Sequence, residues 1–174
     1  MEKISFEFRP TKKQFDPYNF AKEIDLSQYS LLVAAGGDGT HHEVANGMLA
    51  RTDGVKIPFA PIPNGSGNDF CRSIGVLNLD QALDYIANAE VIRVDTVRCL
   101  LDFNDVSEIK TDEEMLAKCR HMLSNCSISM PARVVQEARK YKKCCGMQCY
   151  AIATMQEAIL GRVVQDSFSI EIDG

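Results

Sequence analysis

The chain reads as an α/β protein built on a mainly parallel sheet in three layers, followed by part of a second, mostly β (α+β) domain. Three observations carry this. Apolar runs of strand length alternate with helix-like stretches through the first half. Two glycine-rich turns, Ala35 to Thr40 and Pro63 to Asp69, each follow such a run. Near the end the pattern changes to strict alternation at Phe168, Ile170 and Ile172.

The elements follow in order. Ile4 to Phe8 alternates and predicts a strand, and Asp16-Pro17 with Phe20 and Ile24 predicts a helix opening at a proline. Leu31 to Ala35 is continuously apolar, as a parallel strand covered on both faces should be. Val44, Met48 and Leu49 place apolar groups on the next helix, and Phe59 to Ile62 is the following strand, expected to lie parallel beside the first. Asn78 and Gln81 form an N-cap pair ahead of Ala82, Leu83, Ile86 and Ala87, and Val91 to Val94 reads as a further strand.

Past Val97 the acidic stretch 102–114 reads as a solvated loop or insertion. Thr111 to Glu114 has the form of a capping box for a helix running to Met122. A helix is expected from Pro131 to Cys145, with Val134, Ala138, Tyr141 and Cys145 on one face and Gly146 as its cap, and another from Tyr150 to Leu160 closed by Gly161. Ser167 to Ile172 ends the series as a half-buried strand.

Composition bounds the function. At 174 residues and 45% hydrophobic content the chain can bury a substantial core, and its net charge of −5 argues against nucleic acid as the main partner. The longest apolar runs are too short to span a bilayer, so membrane contact is expected to be peripheral and the location cytoplasmic. The seven cysteines form no CxxC pair and read as reduced, small apolar residues. His41 and His42 point about 100° apart on a helix and cannot easily share an ion, so no metal role is expected for them.

Glycines at strand ends let the backbone take positive φ and let a ligand approach the main chain without meeting a Cβ. The helix N-terminus beyond such a turn suits a phosphate. Two such turns point to a nucleotide held by its phosphates, although neither is a P-loop or a G-x-G-x-x-G turn.

The segment Gly36-Gly37-Asp38-Gly39-Thr40, with Glu43, Val44, Asn46 and Gly47, resembles the diacylglycerol kinase and sphingosine kinase family of lipid kinases, as does Pro63 with Gly65-Ser66-Gly67-Asn68-Asp69. The resemblance is strong over residues 31–75 and reaches over most of the chain. It implies a nucleotide-binding domain in residues 1–98 and a partial C-terminal domain in 99–174, with ATP and magnesium as cofactors and a membrane lipid hydroxyl as the phosphoryl acceptor. It puts a strand near His121 to Ser124, against the helix suggested by the capping box. The segment Asn125 to Val134, with Lys142, Lys143 and Tyr150, is similar to the start of the family's C-terminal domain, but Ser129-Met130-Pro131 replaces the usual Gly-Phe-Asp.

In that reading Gly36, Gly37, Gly39 and Thr40 contact phosphates, and Asp38 either acts through magnesium, as the metal ligand, or fixes the turn. Gly65, Ser66, Gly67 and Asn68 serve the nucleotide from the second loop, and Asp69 either joins them or caps the helix at Phe70. Glu43 and Asn46, about one turn apart, face either the cleft or solvent. Thr11 is a nucleotide contact by its place in the resemblance alone. No catalytic base stands out. The resemblance also implies a strand before Ile4 and a late acidic segment after Gly174, so the open edge of the last strand is expected to be either poorly stable or covered by a partner chain. The competing reading is a non-catalytic subunit or binding module that keeps the fold.

Overall fold

The computed structural model describes residues 4–100 and 119–160. The chain packs as two compact units, Met1–Ser124 and Asn125–Gly174.

The first unit has mixed α/β structure. Helix α1 (Asp16–Glu23) opens where Asp16 Oδ2 accepts the amides of Lys12 and Lys13 at 2.9 and 3.1 Å. Strand β1 (Leu32–Gly36) and strand β2 (Phe59–Pro63) pair parallel, from Leu32 opposite Phe59 to Gly36 opposite Pro63. They are neighbours as their apolar runs predicted, joined through helix α2 (Asp38–Leu49), but β1 is not covered on both faces as expected: α1 and α2 pack on the Ala34 side, while Val33 is 44% exposed and Ala35 is exposed. Pro61 and Pro63 remove N–H donors from β2, which suits a strand at a sheet edge.

Short α3 (Asp69–Ser73) and α4 (Leu79–Ala87) follow, the latter capped as expected by the Asn78 side chain on the Gln81 amide at 2.9 Å. Strand β3 (Val97–Leu100) pairs antiparallel with β4 (Cys119–Met122), so the segment ending at Met122 is a strand and the helix suggested by the capping box does not reach it.

Two small cores hold the unit together. Ala21, Ala34 and Val44 join α1, β1 and α2, with Leu32, Met48 and Phe59 packed around them. Cys71, Val76 and Ala82 gather α3 and α4 against Ile62. α1 lies close on α2 because residue 47 is glycine: a Cβ there would overlap the Tyr18 carbonyl oxygen. At the far end of α1, Arg51 Nη1 donates to the carbonyls of Ala21, Lys22 and Ile24 at 2.8–2.9 Å, while its other nitrogens hold Asp53. A guanidinium here satisfies carbonyls that a helix end otherwise leaves orphaned and sits at the negative end of the dipole.

Two expected strands do not form. Residues 4–8 are irregular, with Ile4, Phe6 and Phe8 73–83% exposed, and residues 91–94 are irregular and exposed as well. Alternating or apolar sequence makes a strand only where a ladder accepts it. Residues 4–8 are held by side chains instead, Glu7 bonding Tyr29 and Arg9. Residues 91–94 stand off from β2 across an apolar groove of about 660 Å³ lined by Phe59, Pro61, Ile86 and Val94 among others.

In the second unit, α5 (Ser129–Cys145) and α6 (Cys149–Ile159) are joined by a 3-10 turn at Gly146–Gln148. Ala138, Cys149 and Ala153 are buried between them, with Val134 and Tyr141 alongside, so the predicted face is the packed one. Tyr141 Oη donates to Gln156 Oε1 at 2.6 Å. The expectations for residues 102–114 and 167–172 lie outside the described residues.

The Arg51 cap generates a prediction. Arg51→Ala should lower stability by about 2–3 kcal/mol, since hydrogen bonds to a charged group contribute about 1.5–3 kcal/mol and three are lost with partial rescue by water. Urea unfolding should show a lower midpoint at unchanged slope; a midpoint equal to that of the parent would contradict the assigned role.

Candidate functional site

The site begins with register. Because Gly36 and Pro63 are partners at the carboxyl ends of two parallel strands, the turns that follow leave the sheet side by side. Asn64 N donates to Gly36 O at 2.8 Å, extending the pairing one residue into the loops. Beyond that the two main chains touch. A Cβ on Gly37 would lie 3.1 Å from Gly65 Cα, and one on Gly65 would overlap Gly37.

The glycines are present for contact, not for left-handed backbone. Positive φ among the described glycines occurs at Gly54, Gly75 and Gly146, and none of the loop glycines adopts it. The freedom for positive φ that the sequence offered is thus not used by these glycines, and in the second loop the left-handed residue is Asn68, at φ 55°. Its side chain compensates locally, Oδ1 accepting the Gly65 amide at 2.8 Å and Nδ2 donating to Gly65 O at 2.9 Å. Gly36 is small for another reason, since the Thr40 side chain occupies the place where its Cβ would go, 2.6 Å away. Gly39 is different again. It lies in the first turn of α2, and nothing comes within 4 Å of where its Cβ would be.

Asp38 ties one loop to the other. Its Oδ1 accepts the Phe70 amide at 3.0 Å, so the cap of α3 comes from 32 residues earlier and not from Asp69. Its Oδ2 lies 3.0 Å, and Asp69 Oδ2 3.6 Å, from the position a Gly67 Cβ would take, so two carboxylates flank that glycine. The other Asp69 oxygen pairs with Arg72. The amides of Asp38, Gly39, Ser66 and Gly67 make no hydrogen bond among the described residues. Those of α2 carry the positive end of a twelve-residue helix.

Glu43 and Asn46 turn away from this cradle. Glu43 Oε2 accepts the Phe15 amide at 3.0 Å and anchors the start of α1; burial raises its pKa above the usual carboxylate range. Asn46 is buried and clasps β4, its Oδ1 accepting His121 N at 2.7 Å and its Nδ2 donating to His121 O at 2.9 Å. Thr11 is exposed in the irregular segment ahead of α1, and Ser66 is half-buried at the loop.

The residue that sequence reading undervalued is His41. It is fully buried, with Nε2 3.2 Å from Ala34 O and 3.3 Å from Ile62 O, and Nδ1 3.6 Å from Cys71 Sγ. Two carbonyls can only accept, so Nε2 carries the proton and Nδ1 takes the thiol hydrogen. One imidazole thus bolts both strand ends to α3. Burial pushes His41 below the ordinary histidine range, and burial followed by the Asp38 charge pushes Cys71 up to about 11, which keeps both partners neutral. The adjacent His42 is lowered by burial and by Arg120, and His121 by burial and by Arg98. The described residues contain no cluster of three or more metal-ligating side chains.

Residues 1–99 match the family model of the diacylglycerol kinase catalytic domain, and the chain belongs to that family of lipid kinases. It is 36% identical over 74 residues to sphingosine kinase 2 of Arabidopsis thaliana, a match covering 41% of this chain and 15% of that protein. It is 40% identical over 82 residues to the diacylglycerol kinase of Bacillus subtilis strain 168, covering 46% of this chain and 26% of that one. A crystal structure of a diacylglycerol kinase from Bacillus anthracis strain Sterne superposes with a TM-score of 0.51 at 26% identity, over 82% of this chain and 43% of that one. The matches thus span between 15% and 43% of the length of these relatives. No helix among the described residues is long and apolar enough to cross a membrane.

Two predictions follow from the geometry. Gly65→Ala should force the loops apart and cost roughly 1–3 kcal/mol of stability as overpacking does, with Gly37→Ala milder because its nearest contact is longer; thermal melts of the two variants check the order. The histidines supply the second. All three bind fewer protons folded than unfolded, so stability should fall as pH drops below the unfolded value of about 6.5. Urea midpoints should hold near pH 7.5 and decrease from about pH 6.5 to 5.5, with Glu43, whose pKa is raised by burial, offsetting part of the loss. His41→Gln should flatten that slope, and a stability that rises on acidification would overturn the assignment.

Proposed function

We propose that this chain is the nucleotide-binding part of an ATP-dependent lipid kinase that phosphorylates a hydroxyl of a membrane lipid of the diacylglycerol or sphingoid class. The observation that carries the reading is Gly39. Packing explains the small residues at 36, 37 and 65, but no protein atom explains the one at 39, which opens the dipole end of α2 beside the second loop. A bare helix start flanked by unpartnered amides is what a phosphate requires.

In this reading the amides of Asp38 and Gly39 and the Thr40 hydroxyl bind one phosphate, and Ser66, Gly67 and Asn68 approach from the second loop. Gly36, Gly37 and Gly65 keep the loops in contact. Glu43 and Asn46 act at one remove, holding α1 and β4 on α2, and Thr11 contacts the nucleotide from ahead of α1. Magnesium fits the free oxygens of Asp38 and Asp69, because this ion takes one or two carboxylates together with substrate phosphates. When bound it neutralises charge on the phosphates. Phosphoryl transfer depends mainly on such positioning and neutralisation. Residues 1–98 would form a three-layer nucleotide domain and 99–174 part of a mostly β domain. The protein would work in the cytoplasm and meet its lipid peripherally.

A second reading, a non-catalytic module, is favoured by Ser129-Met130-Pro131, which removes a carboxylate that the family carries there.

Gly39→Ala tests the site by moving two quantities in opposite directions. Helix propensity should raise thermal stability by up to about 1 kcal/mol, while the new methyl weakens ATP and ADP binding with magnesium by about tenfold or more on calorimetry, roughly 1.4 kcal/mol. Unchanged nucleotide affinity would remove the basis of the proposal. Transfer of labelled phosphate from ATP to diacylglycerol or sphingosine in mixed micelles then separates the readings: nucleotide binding without transfer favours the module.

A further inference from the structure

Three of the seven cysteines, Cys71, Cys119 and Cys149, are buried as the sequence led us to expect, but Cys126 and Cys144 are exposed. The closest sulfurs are Cys144 Sγ and Cys145 Sγ, 3.3 Å apart at the last turn of α5. Cys144 Sγ also donates to Tyr141 O at 3.1 Å, so the Cys145 thiol hydrogen is the one that points along the sulfur–sulfur line. That hydrogen bond, ahead of burial, raises the pKa of Cys145 and leaves the exposed Cys144 as the sulfur that meets reagents first.

We propose that Cys144 and Cys145 form a reversible modification site that takes small-molecule disulfides and closes to a vicinal disulfide. The Cys144 thiolate, having given its proton to solvent, attacks one sulfur of the reagent and expels a thiolate, which is protonated. Cys145 then loses its proton and attacks the Cys144 sulfur of the mixed disulfide, expelling the second thiolate. The two cysteines are oxidised together, and the reagent leaves as two thiols.

The fold explains why closure is reversible. Consecutive Cα atoms are about 3.8 Å apart, below the roughly 4.4–6.8 Å that disulfides prefer. A bridge here therefore stores strain and is easily reduced, as labile disulfides are. Closure has to open the end of α5, where Gly146 at φ 51° and the 3-10 turn supply a flexible exit.

The test uses the whole chain. After incubation with oxidised glutathione, free thiols are alkylated and the tryptic peptide 144–162 is examined by mass spectrometry. The wild type should lose two hydrogens with no retained adduct, and the loss should reverse in reduced glutathione. Cys145→Ser should instead keep a glutathione adduct on Cys144, and Cys144→Ser should lose both products. A bridge to Cys149 or Cys126, a persistent adduct on the wild type, or a Cys145→Ser variant that behaves like the parent would each overturn the proposal.

Discussion

Everything in the first unit is arranged around the contact of two main chains at Gly37 and Gly65. Parallel pairing with Gly36 opposite Pro63 brings the loops to the same height, and the absence of side chains lets them meet. Cross-links then fix that meeting. His41 holds the ends of β1 and β2, and Asp38 reaches from one loop to the helix that follows the other. Neither loop can therefore move without breaking buried or part-buried hydrogen bonds that tie it to the other. Buried polar groups tolerate such breaks poorly, since each unpaired group costs about 1–3 kcal/mol.

The parts that were legible in the sequence are those whose cause is local. Continuous apolar runs announced β1 and β2, a capping pair announced α4, and the small residues between strand and helix announced the loops. The reason for those small residues was not legible. Positive φ is a local explanation, while the operative one, approach of a chain segment 28 residues away, exists only in the fold. The same holds for Glu43 and Asn46. Both look like cleft residues on a helix diagram, yet their partners, Phe15 and the His121 main chain, lie 28 and 75 residues distant. The strands expected at 4–8 and 91–94 failed because pattern specifies a face and not a neighbour.

Among the loop residues the division of labour is uneven. Most glycines are accounted for by protein atoms, and this sharpens the meaning of the exception at Gly39. Side chains that resemblance marks as belonging to the site include Glu43 and Asn46, which build the scaffold on which the bare amides are displayed. In this chain α2 serves twice over, its first turn leaving amides bare while Glu43 and Asn46 further along it anchor α1 and β4.

Asn46 carries one more consequence, a chemical one. It precedes Gly47, and an asparagine before glycine cyclises and hydrolyses to aspartate readily once its backbone is free to bend. Inside α2, with its amide engaged on both sides, it is protected. Each local opening of the helix exposes the pair to this ageing reaction. An aspartate formed there would face the His121 carbonyl with a negative charge in place of a donor, so β4 could not dock again. The clasp that seats β4 therefore also acts as a clock: the lifetime of the folded unit is tied to how rarely α2 opens.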